Sequence, residues 1–257
     1  MLTDGQIAHF RTFGFVVWRE LFSPEEMRTI KRDFDEVMSE ERNGEPFTGV
    51  QSQTVLWFLE RRPSLARLVD DDRIYNAVEQ LLGPDFLWVL SDGSLYVGDT
   101  QWHSASNGTP PILDHVKVVV YPDPLTRDNG CLRVIPGSHR PEYQRHLRAL
   151  REQFENPSKK PFGVTGSEVP AYPLELKPGD VVFASENLWH GSFGGRPGRR
   201  MFNMNYYENP TTPEHVQYVR DQSQMTTAMF HPHETFLKSE RPRIRGMVQK
   251  YVELGLA

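Results

Sequence analysis

Beyond Gly83 the chain is punctuated in a way that leaves few folds open. Short apolar runs alternate with turn clusters: Phe86–Leu90, Ser94–Val97, Val116–Tyr121, Cys131–Ile135, Tyr172–Leu176, Val181–Ala184 and Met201–Tyr207. Between them lie Asp128-Asn129-Gly130, Pro136-Gly137-Ser138 and Lys177-Pro178-Gly179-Asp180. Each run is long enough for a strand and too short for a helix. The predicted class is an all-β core of sandwich, jelly-roll or barrel type. Parallel βαβ units are not expected, because few helical segments separate the runs. The 19 glycines and 20 prolines are the supply of turn residues such a fold needs.

The flanks carry the helical period instead. Thr3 with Gln6 fits a capping box, and Gly14 fits a stop. Ser23-Pro24-Glu25-Glu26 is a stronger start, and Met27, Ile30, Phe34 and Met38 then mark one buried face. A further helix is predicted over Ile74–Leu82, an inserted surface helix over Pro141–Phe154, and two more over Pro213–Gln222 and Ile244–Leu254. The economical division is one domain over 1–257: a mostly helical part at 1–83, a β core at 84–207 and a helical part at 208–257.

Composition narrows the chemistry. With one cysteine, Cys131, no internal disulfide, zinc finger or iron–sulfur cluster can form. A protein-bound metal would have to use mainly the nine histidines, carboxylates, water or a substrate. The formal charge of −5 leaves no electrostatic footprint for nucleic acid or an anionic membrane. No apolar run is long enough to cross a bilayer, and the first residues do not read as a signal peptide. Cytoplasmic residence is therefore the default expectation. Nothing in the sequence fixes the oligomeric state.

Three segments stand out within the β region. Asp99-Thr100-Gln101-Trp102-His103-Ser104-Ala105 is the first. The second runs from the Pro-Gly turn at Lys177–Asp180 through an apolar strand to Asn187-Leu188-Trp189-His190-Gly191-Ser192. Side chains at such strand ends can converge in a barrel mouth. The third is Arg196-Pro197-Gly198-Arg199-Arg200, entering the strand at Met201. An arginine facing a cavity there can grip a carboxylate bidentately. Strand alternation lets only one of Arg199 and Arg200 face inward.

In this order the segments resemble the phytanoyl-CoA dioxygenase family of iron(II)/2-oxoglutarate oxygenases. The likeness rests on Trp102-His103-Ser104, on Asp128 through His139, on Lys177–Val182, and on His190-Gly191-Ser192 followed by Arg199. It implies a double-stranded β-helix, or cupin-like jelly roll, using iron(II), 2-oxoglutarate and O2. It implies His103 and His190 as iron ligands and Arg199 as the anchor for the distal carboxylate of 2-oxoglutarate. Arg199 is preferred to Arg200 because the family's arginine precedes an aromatic by seven positions, here Tyr206. Ser192 is implied as a further co-substrate contact.

One departure outweighs the matches. The family's proximal motif is His-x-Asp, which completes a two-histidine, one-carboxylate triad. Here Ala105 stands at the third position and has no donor atom. In related oxygenase halogenases the same loss opens a place for chloride on the metal. The first expectation is therefore a halogenase acting on a small molecule, free or carrier-tethered, with chloride as a further ligand. The alternatives are a hydroxylase with an altered triad, Ala105 being native or an Asp→Ala change, and an inactive jelly-roll binding protein. Asp99 or Asp114 would be the unusual sources of a replacement carboxylate. His115, His139 and the His231-Pro232-His233 loop read as structural, and Trp102 and Trp189 as packing residues.

Overall fold

The computed structural model describes residues 1–106, 108, 111–225 and 231–257. The N-terminal part contains α1 (Asp4–Phe13), β1 (Phe15–Trp18), α2 (Pro24–Glu41), β2 (Gln53–Leu56), α3 (Pro63–Ala66) and α4 (Asp72–Leu82). The β region holds β3 (Leu87–Tyr96), β4 (Thr100–His103), β5 (His115–Val120) and β6 (Leu132–Val134), then the inserted α5 (Pro141–Leu147) and α6 (Arg151–Glu155). It closes with β7 (Tyr172–Leu174), β8 (Val181–Ser185), β9 (His190–Ser192) and β10 (Arg199–Tyr207), followed by α7 (Pro213–Met225), α8 (Glu234–Leu237) and α9 (Pro242–Glu253).

Both predicted capping boxes form, at Thr3 and at Ser23, and α2 buries the expected Met27, Ile30, Phe34 and Met38. The strands make two antiparallel sheets. The larger has the order β1-β8-β5-β10-β3-β2, and the smaller β4-β9-β6-β7. Alternation along each strand divides the apolar residues between two layers. Val116, Val118, Phe183, Phe202 and Met204 face the N-terminal helices, where they join Ile30, Phe34 and Phe58 in one core. Val119, Val182, Ala184 and Met201 face inward and meet Val134 and Leu174 of the smaller sheet.

Two predicted boundaries change. The runs Phe86–Leu90 and Ser94–Val97 are one strand, β3, because Ser91-Asp92-Gly93 is not a turn. Each of these three polar or small residues has a partner in the sheet. Ser91 accepts the Leu59 N–H and donates to Glu60, and Asp92 accepts from Asn203 across the register. Gly93 lies beneath Phe58, where a Cβ would come within 2.3 Å of the ring. The insertion is also no simple surface helix: Gln144 and Gln153 are fully buried. Among the described residues no helix is long and apolar enough to cross a membrane.

Candidate functional site

Two short strands bring the predicted histidines together. In the β4–β9 pair His103 stands opposite His190, and their ring centroids are 4.2 Å apart. Each histidine follows a tryptophan, so alternation sends the indoles to the other face. There Trp102 and Trp189 are buried with Phe193 and Leu150. Trp102 Nε1 donates to the Gly166 carbonyl (2.7 Å) and Trp189 Nε1 to Gln144 Oε1 (3.0 Å). The tryptophans thus pack, as expected.

Both imidazoles are held from behind. His103 Nδ1 lies 2.8 Å from the Gln101 carbonyl, and His190 Nδ1 2.7 Å from the Leu188 carbonyl. A carbonyl only accepts, so Nδ1 carries the proton and Nε2 keeps its lone pair. Burial disfavours the charged form of both rings, and the neighbouring His190 adds to it for His103, whose pKa falls to about 3.

Arg199 and Ser192 line the same cavity, which measures about 120 Å³. Arg199 Nη1 (2.8 Å) and Ser192 Oγ (2.9 Å) both donate to the Gly130 carbonyl. Gly130 and Gly195 are what make room for the guanidinium: a Cβ would lie 2.1 Å from Nη1 at the first and 2.2 Å at the second. The guanidinium also sits 5.3 Å from the Tyr96 ring centroid. Arg199 is buried, yet among the described residues no carboxylate pairs with it.

Arg200, the alternative anchor, is corrected by the same alternation. Its side chain reaches the opposite face of β10, where it binds Asp35 of α2 and Asp123, each at 2.7 Å. Arg200 is thus not among the residues that line the cavity, whereas Arg199 is.

The remaining lining was not singled out from sequence. Asp92, Lys117 and Asn203 project into the cavity from the larger sheet. Lys117 Nζ pairs with Glu186 Oε1 at 2.6 Å. Burial would push Glu186 up, but Lys117, His115 and His190 together pull it down to about 2. Asp92 accepts from Asn203 Nδ2 through both oxygens, each at 2.9 Å, while burial raises its pKa against Lys117 and that amide. Strand alternation was the available signal: Lys117 shares the inward register of Val119, as Asn203 shares that of Met201.

Ala105, two residues beyond His103, is not among the residues that line this cavity. It follows β4 in a turn, is exposed, and its amide donates to the Glu186 carbonyl. It lines a neighbouring crevice with Asn187, Tyr207 and Tyr218. Asp99 is occupied as acceptor for the Gly194 amide, and Asp114 is exposed; neither lines the histidine cavity. His231 is bound to the Leu256 carbonyl and His233 caps α8, so their spacing is not that of a ligand pair. Among the described residues no three His, Cys, Asp or Glu side chains are grouped to hold a metal ion.

The family model for phytanoyl-CoA dioxygenase matches residues 10–201. The chain belongs to the phytanoyl-CoA dioxygenase family. Its members are iron(II)/2-oxoglutarate-dependent oxygenases, and the paired sheets are the double-stranded β-helix of that family. An ectoine dioxygenase of Bordetella bronchiseptica is 27% identical over 220 residues, covering 74% of this chain and 70% of the relative. HygX from Streptomyces hygroscopicus, solved with nickel and 2-oxoglutarate bound, superposes with a TM-score of 0.64 at 20% identity, over 81% of this chain and 88% of that one. EctD from S. alaskensis with bound Fe gives 0.61 at 22% identity, over 80% and 77%. The matched segment of the family model ends at Met201, two residues beyond Arg199.

Proposed function

We propose that this chain, as a single domain, is an iron(II)/2-oxoglutarate-dependent enzyme that functionalises a C–H bond of a small molecule. His103 and His190 are the metal ligands in this reading, and Arg199 with Ser192 receives the distal carboxylate of 2-oxoglutarate. The observation that carries it is the pairing of two neutral imidazoles, each with Nε2 free, with a buried guanidinium that has no carboxylate partner. Imidazole nitrogen suits iron, and a buried unpaired cation calls for an anion. The donor set fits a metal completed by exogenous ligands: among the described residues two imidazole nitrogens meet and no third His, Cys, Asp or Glu joins them. When bound, iron(II) and 2-oxoglutarate supply the dioxygen activation that breaks the C–H bond.

The chain's own residues position and exclude. The carbonyls of Gln101 and Leu188 fix the imidazole tautomers and ring planes. Trp102 and Trp189 seal the back of the ligand strands. Ala105, two residues beyond His103, offers no carboxylate, and chlorination is our first reading of that loss. The relatives' names favour hydroxylation as the second reading.

Anaerobic reconstitution with iron(II) and 2-oxoglutarate tests the core of this reading. The visible charge-transfer absorption of the complex should appear in the wild type and be lost in His103→Ala and His190→Ala. Absence of the band, and of succinate once oxygen is admitted, would overturn an enzymatic role. Chloride should shift the band in the wild type and not in Ala105→Asp. No shift, with only oxygen inserted into the product, would leave the hydroxylase.

A further inference from the structure

Asp92 places a second charge in the same cavity, opposite in sign to Arg199 and without an ion pair among the described residues. It projects inward from β3, opposite Asn203 of β10. Asn203 donates to both carboxylate oxygens, and Asn205 donates in turn to Asn203 Oδ1. The amide chain therefore ends on Asp92 with its positive ends aimed at the carboxylate. An ionised carboxylate accepts about four hydrogen bonds, so roughly half its capacity remains for the cavity.

Among the described residues no lysine, arginine or histidine lies within ion-pair distance of Asp92. Lys117 is nearby, but its ammonium is engaged by Glu186 at 2.6 Å. Arg199 lies four residues away along β10 from Asn203, roughly 13 Å at the strand rise. A half-buried carboxylate left this way has room for a ligand that supplies the counter-charge.

We propose that Asp92, oriented by Asn203, is the recognition group for a cationic small-molecule substrate bearing an ammonium or amidinium. This rests on the reading of the cavity as a catalytic site and adds its substrate class. The two ends then have opposite preferences, with the co-substrate's carboxylate at Arg199 and the substrate's cation at Asp92. Lys117, already paired with Glu186, offers no unmatched positive charge to an anionic substrate.

The test is calorimetric binding to the full chain reconstituted with iron(II) and 2-oxoglutarate under nitrogen. The probes are n-butylammonium and its near-isosteres 1-butanol and butyrate. The wild type should bind the ammonium roughly tenfold or more tightly than the alcohol, and D92N should lose that preference. The exchanged pair D92N/N203D returns the carboxylate to the same cross-strand position and should restore it, which separates recognition from a folding defect. Equal binding of amine and alcohol, binding of neither, or preference for butyrate overturns the proposal. Loss of iron rather than of amine preference in D92N also overturns it, because Asp92 would then serve the metal. Failure of the catalytic reading shows separately, as 2-oxoglutarate binding indifferent to R199Q.

Discussion

Arg199 and Arg200 are neighbours on β10 and serve opposite faces of the sheet: one enters the cavity beside Gly130, the other binds Asp35 and Asp123 outside it. Arg199→Gln should weaken 2-oxoglutarate binding by roughly tenfold or more, since a bidentate charge-assisted contact is lost. Arg200→Gln should change it by less than about twofold, because partly exposed ion pairs contribute little. Titration of the iron-loaded variants with 2-oxoglutarate decides this, and the reverse order would move the anchor to Arg200.

Gly130 is required twice over. Its φ of +90° disfavours any side chain, and a Cβ would meet Arg199 Nη1 at 2.1 Å. Gly130→Ala should destabilise the fold by about 1–3 kcal/mol and displace the guanidinium. Urea unfolding measures the first effect and 2-oxoglutarate affinity the second. A variant normal in both would show that the loop is not the support described.

Glu60 makes stability depend on pH. Burial pushes its pKa from 4.5 up to about 7, against hydrogen bonds from Ser91 and Trp88. The folded chain therefore binds this proton more tightly than the unfolded one. The stabilisation it gives is fully present below about pH 4.5 and is lost as pH rises through about 7, by up to ~3 kcal/mol. Glu60→Gln should remove this component, so the variant gains on the wild type between pH 5 and pH 8. Unfolding curves at the two pH values check it; parallel behaviour of both proteins would contradict it.

Gln144 ties the insertion to the smaller sheet. Its Nε2 donates to the carbonyls of Ser138 and Asn187, and its Oε1 accepts from Trp189. Gln144→Leu strands these buried groups and should cost about 2–4 kcal/mol. Thermal unfolding reads the loss, and a change within experimental scatter would mean that other partners replace the glutamine.

Much of this was legible in the residues because the signals are local. Turn clusters placed β5 to β8, caps placed α1 and α2, and the alternation at Arg199-Arg200 stated that one arginine must face in. What sequence left unread depends on contacts across distance. Ser91-Asp92-Gly93 looks like a turn until Glu60, Asn203 and Phe58 arrive from elsewhere in the chain. Lys117 and Glu186 are 69 positions apart in numbering, and neither signals the other. The strands β1 and β2 were hidden in a helical context, each being only four residues long.

The Trp-His dipeptides at the end of β4 and the start of β9 gear two surfaces together. One residue of each pair floors the inserted helices, and the next presents an imidazole to the cavity. The packing of the insertion and the placing of the imidazoles are therefore separated by a single peptide unit in each strand. A one-residue slip of either strand would exchange nitrogen donor for indole outright. Sequence drift in the cap and in the reaction chamber is, on this geometry, a shared inheritance.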